Sequence, residues 1–494
     1  MHLLDPDLHT RRAFLRRTGQ LALTGTALPL ALNLAAMGEA AAFNAPPGDY
    51  KALVCVFLYG GNDYGNTVVT YDDASYDKYS LIRGGAAGRA AGGIALGQAA
   101  LTPTLLVPTA APLDPQGVAR QYALNPAMTD MAALFNGGQA AVQLNVGPLV
   151  VPLTRAQYNS ADRTTNPRPP QLFSHNDQQS IWQSSSPEGS KIGWGGNIGD
   201  LAIQNGLNTN SIFSCMSVTG NAVFLSGDTA LQYQVSTNGA IKITPATSAV
   251  YGSTAVRDAI NGLIQQSRAQ KLENEYNAVT RRAMTAESSV TAALAGAPPA
   301  TVFTTDGLGP QMKMVARLIK GRANLGARRQ VFLVSIGGFD LHDNLIRDHG
   351  GLLGKVSVAM KALYDATVEM GVANQVTAFT ASDFGRTLSS NGDGSDHGWG
   401  SHHFVVGGAV KGKAFYGTPP PVSVGDTRDS SGNYAPVDQW HVGQGRLLPS
   451  TSVDQYAATL ATWFGVDPTE LAGILPNIGH FGGPGYPTNL GFML

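Results

Sequence analysis

Cysteine is almost absent from this chain of 494 residues, which contains only Cys55 and Cys215. Two cysteines exclude a disulfide framework, and neither has the CxxC neighbour that indicates a thiolate metal site. Cys55 lies in the apolar run ALVCVFLY, where a buried thiol packs as a small hydrophobe. A single bridge between the two cysteines is allowed in an oxidising compartment.

Charge is also scarce, since charged residues make up 14% of the chain and the net charge is −1. Nucleic-acid binding requires an excess of Lys and Arg on one surface, so this composition argues against a nucleic-acid partner. No run of about 18 apolar residues follows the N-terminal segment, and no transmembrane span is expected in the mature protein. The hydrophobic share of 43% is typical of a globular protein with a large core.

The N-terminal segment has the pattern of an export signal. Arg11 and Arg12 precede an uncharged, mildly apolar run that ends in small residues suited to cleavage. This pattern resembles a twin-arginine signal, and the alternative is a cytosolic chain with a basic N-terminal helix. We therefore expect residues 1–42 to be a signal peptide. The mature protein, 43–494, would then reach the periplasm or the exterior through the twin-arginine export machinery, which often carries proteins already loaded with a cofactor.

Apolar, β-branched runs alternate with segments of helical period in the rest of the chain. The runs are ALVCVFLYGGND, AAVQLNVG, QVFLVSIGGFD, NQVTAFTASD and HHFVVGG. Continuous apolar strands that alternate with helices indicate a mostly parallel sheet covered on both faces. The sequence therefore predicts a three-layer α/β sandwich, in which ligands bind at the carboxyl ends of the strands.

Two stretches are predicted as insertions into this single core, one near 71–170 and one near 222–300. Residues 222–245 alternate in polarity and turn at TNG, which indicates a small β-hairpin. Residues 253–296 have helical period and enough polar residues to lie on the surface as one long helix or two shorter ones.

Three acids directly follow predicted strands, namely Asp63, Asp340 and Asp383. One such acid is most often a turn residue or a helix N-cap. Because parallel strands end at the same edge of a sheet, three of them are expected to lie close together there. Clustered carboxylates repel one another unless a cation or protons neutralise them, which favours a pair of divalent metal ions.

Histidines accompany these acids in the sequence. His342 follows Asp340 by two residues, and His397, His402 and His403 occupy the glycine-rich and serine-rich stretch ASDFGRTLSSNGDGSDHGWGSHHFVVGG. Neutral imidazole is a common ligand of zinc, manganese and iron. The pattern therefore predicts a metal site of mixed Asp and His ligands. Three other histidines are interpreted as structural: His349, His441 and His480.

Four further residues are candidates for direct catalytic roles. Ser174 and His175 precede a predicted helix, whose N-terminus could hold an anion, although an ordinary N-cap accounts for the pattern equally well. Arg386 could clamp a phosphate or sulfate in bidentate fashion, or it could pair with a nearby acid. The nucleophile could be Thr67, which lies beside Asp63, or Ser174, or a metal-activated water.

Taken in order, the motifs resemble one known family. They are the arginine-pair leader, FLYGGNDYGNTVV, FSHNDQQSIWQ, GWGGNIGDLA, SIGGFDLHDN, TASDFGRT and DHGWGSHHFVVGG. This set resembles the domain of unknown function 1501 family, which looks like a sulfatase-like branch of the alkaline phosphatase superfamily. The resemblance covers nearly the whole mature chain. It implies an alkaline-phosphatase-like fold with a two-metal centre, in which zinc is favoured over manganese, magnesium or calcium.

Several positions carry over from the superfamily pattern. Asp63 resembles the Asp at the end of the first strand. Asp340 with His342 resembles the middle Asp and His pair, at a shorter spacing than usual. His403 resembles the late histidine ligand, and His402 is nearly as good a match.

The pattern departs from the superfamily at two points. Asp383 resembles the Asp of an adjacent Asp-His pair, but Phe384 stands where the His would be, so His397 or His402 is expected to supply that imidazole. Neither C-x-P-x-R nor D-S-A occurs, which argues against formylglycine chemistry and leaves the nucleophile open. The layout of the family favours Ser174.

The expected function is that of an exported, metal-dependent hydrolase of phosphate or sulfate esters on small molecules or glycans. The alternative is a non-catalytic exported protein that binds a glycan or another envelope component on a degenerate phosphatase-like or sulfatase-like fold. A serine hydrolase is disfavoured because G-x-S-x-G is absent.

Overall fold

A computed structural model describes residues 49–428 and 430–494, so the predicted signal peptide, 1–42, lies outside the described residues. The strands are β1 (Lys51–Leu58), β2 (Val68–Thr70), β3 (Tyr122–Leu124), β4 (Ala140–Gly147), β5 (Cys215–Ser217), β6 (Tyr233–Gln234), β7 (Arg329–Ile336), β8 (Val376–Ser382), β9 (Ser401–Gly407), β10 (Ala414–Tyr416) and β11 (Thr451–Ser452). The α-helices are α1 (Tyr64–Thr67), α2 (Asp73–Ile82), α3 (Gln98–Leu101), α4 (Thr129–Asn136), α5 (Arg155–Asn159), α6 (His175–Ser184), α7 (Trp194–Gln204), α8 (Thr244–Thr247), α9 (Thr254–Gln265), α10 (Lys271–Ala293), α11 (Gly309–Lys320), α12 (Leu345–Glu369), α13 (Val453–Phe464) and α14 (Leu471–Ile474).

A nine-stranded sheet forms the centre of the described chain. Eight strands follow the order β10-β4-β9-β8-β1-β7-β5-β6, and β11 pairs with the end of β4. The pairs of β1 with β7 and with β8 are parallel, whereas β9 is antiparallel to both β8 and β4. The five strands predicted from the apolar runs are therefore β1, β4, β7, β8 and β9. The prediction of a mostly parallel sheet is confirmed.

Residues of β1 alternate between two buried layers. Ala52 and Val54 face a layer that includes residues of α4, α11 and α12, whereas Leu53 and Cys55 face a layer that includes residues of α7 and α13. All four side chains are at most 3% exposed. Because helices cover both faces, both sets of alternating positions must be apolar, which explains the uninterrupted hydrophobic run. The molecule is thus an α/β sandwich.

The central strands end together at one edge of the sheet. Leu58 of β1 pairs with Ile336 of β7 and with Ser382 of β8, and each pair stands at the last residue of its strands. The loops that follow pack tightly against one another. Gly60 has φ +115°, and a Cβ atom at this position would lie 2.4 Å from the backbone nitrogen of Asp340. Only glycine fits this close approach, which brings the loop after β7 onto the loop after β1.

The predicted insertions differ in part from the structure. The hairpin expected at 222–245 does not form, because β6 joins the sheet in parallel beside β5 and the chain then turns between Ser236 and Gly239. The segment 253–296 contains two helices, α9 and α10, which is one of the two forms predicted for it. The first predicted insertion, near 71–170, contains β4, which belongs to the central sheet. The part of the chain that lies outside the sheet therefore ends before β4.

The structure also bears on the cysteines and on membrane insertion. Cys55 and Cys215 are both buried and free, and β7 separates their strands in the sheet. Two strand spacings amount to about 10 Å, which is too far for a disulfide.

Among the described residues, no helix is both long enough and apolar enough to cross a membrane.

Candidate metal centre

Four polar side chains meet at the carboxyl edge of the sheet from three separate segments. His175 is the first residue of α6, Asp340 and His342 lie in the loop after β7, and His397 lies in the loop between β8 and β9. In the part of the chain that the structure describes, His175, Asp340 and His397 form a group of three potential metal ligands whose atoms lie within 4.8 Å of one another. We call the four residues the His/Asp cluster.

In the His/Asp cluster, the Nε2 atoms of the three imidazoles converge on the carboxylate of Asp340. Its Oδ1 lies 3.0 Å from His342 Nε2 and 3.1 Å from His397 Nε2. The two Nε2 atoms are themselves 3.0 Å apart. His175 Nε2 approaches the other oxygen, Oδ2, at 3.4 Å.

Each Nδ1 atom of the cluster instead faces an oxygen from the surrounding shell. The contacts are His175 Nδ1 to Asp383 Oδ2 at 2.6 Å, His342 Nδ1 to Asp396 Oδ1 at 3.1 Å and His397 Nδ1 to the Phe173 carbonyl oxygen at 2.8 Å. A carbonyl or an ionised carboxylate only accepts hydrogen bonds, so each Nδ1 is assigned as the N–H donor. In a neutral ring, Nε2 then carries a lone pair that is aimed at Asp340.

This arrangement places lone pairs against a carboxylate, which is unfavourable unless a proton or a cation lies between them. Histidines that bind metals usually donate their other ring N–H to a carboxylate or a carbonyl, and all three imidazoles do so here. The donor set of nitrogen and oxygen atoms suits zinc and other divalent transition metals. The residues of the cluster can therefore hold a metal ion.

The protonation of the cluster depends on its neighbours. Asp383 raises the pKa of His175 through the hydrogen bond at Nδ1, against the opposing effect of burial. Burial lowers the pKa of His397, and the Phe173 carbonyl offsets only part of that effect. For Asp340, burial favours a higher pKa, but the hydrogen bond and charge of Arg386 and the nearby imidazoles outweigh it and lower the pKa. The carboxylate is thus held in its ionised form.

Asp383 lies behind His175 as an outer partner of the His/Asp cluster. It is fully buried, and its Oδ2 accepts hydrogen bonds from the Gly60 backbone at 3.2 Å and from Gln179 Nε2 at 2.9 Å, besides the contact with His175. Its Oδ1 has no partner within the described residues. In this geometry, Asp383 orients His175 and does not itself join the four converging side chains.

Two roles were predicted for Arg386, an anion clamp and a partner for a nearby acid, and its surroundings argue against the first. The side chain is fully buried, and Nη1 donates to Asp340 Oδ1 at 2.8 Å and to the Gly60 carbonyl at 3.1 Å. Its Nε donates to Ser395 Oγ at 3.0 Å. Arg386 therefore realises the other predicted role, since it pairs with an acid and fixes Asp340 in place.

Phe384, at which the predicted motif departs from an Asp-His pair, packs against the cluster. Its ring centroid lies 4.8 Å from that of His175 and 4.7 Å from that of His397. Of the two residues predicted to replace that imidazole, His397 lies in the cluster and His402 does not. Phe384 forms an apolar wall that restricts the movement of both rings.

Asp63 does not reach the His/Asp cluster, contrary to the prediction of a metal ligand there. It forms a buried ion pair with Arg83, whose Nη1 also lies 3.3 Å from Asp63 Oδ1, and it caps α1 through the backbone nitrogen of Gly65 at 3.2 Å. Asp63 is 1% exposed. A guanidinium therefore provides the positive charge that a second metal ion was expected to provide.

His402 and His403 also lie outside the cluster, as the geometry of β9 explains. Neighbouring residues of a strand point to opposite faces, so the two side chains cannot reach one site together. His402 Nδ1 accepts a hydrogen bond from the Asn145 backbone at 3.0 Å, and the His403 ring packs on Trp182 with centroids 4.8 Å apart. Burial lowers the pKa of each histidine to about 3.

The two candidate nucleophiles differ in their surroundings. The Thr67 hydroxyl is buried and lies 2.7 Å from the Asp63 carbonyl, to which it donates, so it has no path to a substrate. Ser174 directly precedes His175, and its hydroxyl donates to Asp177 Oδ2 at 3.0 Å. Of the two side chains, Ser174 therefore remains a candidate beside the metal-activated water, because it is partly exposed and the Asp177 carboxylate lies within reach of its proton.

Two contributors to the site were missed by the sequence analysis. Asp396 precedes His397 in the motif DHG, and this adjacency could have marked it as a partner for an imidazole. The Phe173 carbonyl could not have been predicted, because it depends on a backbone φ of +74° that is rare for a bulky residue. The three histidines interpreted as structural contact the oxygen atoms of Asn62, Pro421 and Val150 rather than the cluster.

The fold and the cluster define an α/β sandwich protein with a candidate His and Asp metal centre at the carboxyl edge of its sheet. The chain belongs to the family described as Protein of unknown function (DUF1501), which it matches over residues 50–434. The family predicted from the motifs is thus confirmed.

Other comparisons add little. No curated protein matches the chain. One similar solved structure is described as "Crystal structure of Ps i-CgsB in complex with k-i-k-neocarrahexaose"; it is 10% identical, the match covers 87% of this chain and 77% of the other, and the TM-score is 0.30. A TM-score this low carries no argument about function.

Proposed function

We propose that this protein is an exported, metal-dependent hydrolase of phosphate or sulfate esters on small molecules or glycans. We also propose that its fold is related to that of the alkaline phosphatases. One observation carries the proposal: three imidazoles turn their Nδ1 atoms toward oxygen acceptors and their Nε2 atoms toward the carboxylate of Asp340. This donor pattern is typical of protein sites that bind a divalent transition metal, and zinc suits it best.

The proposed centre holds one cation, bound by His175, Asp340, His342 and His397. A second cation was expected, but the Asp63 carboxylate is neutralised by Arg83. When bound, a divalent cation supplies Lewis acidity that polarises an ester oxygen and favours the ionised form of a nearby hydroxyl.

The chain itself supplies the nucleophile and the proton acceptor in the proposed reaction. The Ser174 oxygen bonds to phosphorus or sulfur, and the bond to the leaving alcohol oxygen breaks. Asp177 takes the serine proton and returns it to that oxygen, since its carboxylate lies 3.0 Å from the hydroxyl. Water then cleaves the serine ester, releases phosphate or sulfate and restores the hydroxyl.

Metal content and turnover test the proposal together. Purified mature protein is expected to contain one divalent ion and to cleave an aryl phosphate or an aryl sulfate. His397→Ala and Asp340→Ala should lose both the metal and the activity, whereas His480→Ala should keep both, because His480 contacts only the Val150 carbonyl among its described partners. Protein without metal in every preparation would refute the proposal.

A metal-bound protein that turns over no ester in a broad panel, and whose ligand binding is unchanged in Ser174→Ala, would instead identify a binding protein on the same fold. Export is tested separately. Replacement of Arg11 and Arg12 by lysine should leave the protein in the cytoplasm if the leader is a twin-arginine signal.

A further inference from the structure

Three arginines stand beside the candidate metal centre or its flanking loops, and two of them are neutralised. Arg83 is paired with Asp63, and Arg386 is paired with Asp340. Both guanidinium groups are fully buried. The third, Arg446, lies in the loop that precedes β11 and differs from the others in its partners.

Arg446 is held against the cluster by two contacts. Its Nε donates to the backbone carbonyl of His397 at 2.7 Å. Its guanidinium lies over the Phe173 ring, 5.2 Å from the centroid, and the carbonyl of the same Phe173 accepts the Nδ1–H of His397. The two contacts engage only the Nε atom and one face of the guanidinium plane. They therefore orient the two Nη atoms without occupying them.

In the described part of the chain, the Nη atoms of Arg446 have no hydrogen-bond acceptor, and no carboxylate lies within 4.0 Å of them. Asp396 and Tyr158 act on the charge of Arg446 from farther away, and the Asp396 Oδ1 is already engaged by His342 at 3.1 Å and Asn391 at 2.9 Å. Arg446 is only half-buried, so its free donors can be reached from solvent. A guanidinium that is partly desolvated and has two free Nη groups favours a bidentate oxyanion partner.

We propose that Arg446 binds the non-bridging oxygens of a tetrahedral oxyanion, the phosphate or sulfate group of the substrate, through its two Nη atoms. Arg446 thereby takes the anion-binding role that was one of the two predicted for Arg386. The identity of the substrate group rests on the proposed function, but the anion site itself can be measured without turnover.

Titration calorimetry with inorganic phosphate and with inorganic sulfate, on metal-loaded protein, tests the proposal. Arg446→Gln should raise the Kd of the preferred anion by about tenfold or more, since it removes a charge-assisted bidentate contact. Arg446→Lys keeps the charge but not the fork and should raise the Kd less. Which of the two anions binds wild-type protein more tightly identifies the ester class.

Arg322→Gln is the matched control. Arg322 also stacks on an aromatic ring, that of Tyr50 at 4.8 Å, and also donates to a carbonyl, that of Ile319 at 3.1 Å. Tyr50 directly precedes β1, so Arg322 lies at the opposite edge of the sheet from the cluster. Its variant should bind the anion as the wild type does.

Elemental analysis of the same samples separates the two proposals. Protein that takes up no metal would refute the proposed function, and the same anion titrations are then compared on metal-free wild type and Arg446→Gln. Unchanged anion affinity in Arg446→Gln, or no binding of either anion to wild-type protein, would refute the anion site alone. Loss of metal in Arg446→Gln would make Arg446 a positioning residue for His397 and would also refute it. If circular dichroism shows that Arg446→Gln is unfolded, an unchanged Kd in Arg446→Lys refutes the assignment and a raised Kd supports it.

Discussion

At the scale of single residues, the candidate site depends on which nitrogen of each histidine is free. The shell oxygens fix this choice, because each accepts a hydrogen bond from Nδ1 and leaves Nε2 to face Asp340. The oxygen atoms of Asp383, Asp396 and Phe173 therefore determine the geometry of the site as much as the four converging side chains do. A change in Asp383 or Asp396 should therefore act through an imidazole, even though neither residue contacts the centre of the cluster.

Asp383→Asn tests this dependence. The amide can still accept the hydrogen bond from His175, but it loses the negative charge that raises the basicity of the imidazole. We expect metal affinity to fall by about 10–100-fold with the fold intact, as measured by competition with a chelator. Asp365→Asn is the control, because Asp365 is 42% exposed and pairs with Lys361 on α12. Equal metal affinities in both variants would contradict the role of Asp383.

Gly60→Ala tests the close approach of the loops. The glycine has φ +115° and no room for a Cβ, whereas Gly117 has φ +76° and nothing within 4 Å of its Cβ position. The control Gly117→Ala should lose about 1–2 kcal/mol of unfolding free energy from its backbone alone. Gly60→Ala should lose about 1–3 kcal/mol more, because the methyl group meets the backbone of Asp340. Urea unfolding of both variants measures the difference, and equal losses would count against the clash.

The sequence could predict Asp340, His342 and His397 because strand-end acids and nearby histidines are visible in the pattern. It could not predict that Asp63 would be neutralised, since Arg83 lies in a loop-rich segment whose packing has no periodic signal. His402 and His403 were placed in the site because they lie near it in sequence. Alternation along β9 sends the two side chains to different faces.

At the scale of elements, prediction worked where burial alone determines the structure. The five apolar runs became strands because only a sheet covered on both faces makes every position of a strand apolar. The prediction of a hairpin at 222–245 was wrong because β6 pairs over two residues only, at the edge of the sheet, and its partner there is β5. Such short pairing is decided by tertiary contacts rather than by local alternation.

Asp454, in the first turn of α13, makes the stability of the folded protein depend on pH. The residue is 2% exposed, and burial raises its pKa from 3.8 to about 6, against hydrogen bonds from the Asn477 backbone and the Ser185 hydroxyl. The folded state therefore binds the proton more tightly than the unfolded state. The resulting stability is present below pH 4 and is lost as the pH rises to about 6.

Asp454→Asn has no such titration. Relative to the variant, the wild type should lose about 3 kcal/mol of unfolding free energy between pH 4 and pH 7. Urea unfolding of both proteins across this range measures the loss. Parallel curves for the two proteins would contradict the raised pKa.

At the scale of the whole molecule, the His/Asp cluster joins parts of the chain that are far apart in sequence. Its four residues come from the start of α6, from the loop after β7 and from the loop between β8 and β9. A cation that binds all three segments only in the folded state must stabilise the entire sandwich. The effect equals about 2.7 kcal/mol when the free ion is at 100 times its Kd.

Thermal unfolding checks this coupling. Added zinc should raise the Tm of chelator-treated wild-type protein by a few degrees, and the rise should grow with the logarithm of the free zinc concentration, because stabilisation follows mass action. Asp340→Ala should show no such rise, since it removes the carboxylate on which the three imidazoles converge. Asp306→Ala is the control, because Asp306 lies on the surface and pairs only weakly with Lys355, at 3.7 Å, and it should respond as the wild type does. An equal rise in Asp340→Ala would show that zinc acts elsewhere on the molecule and that the cluster does not hold the ion.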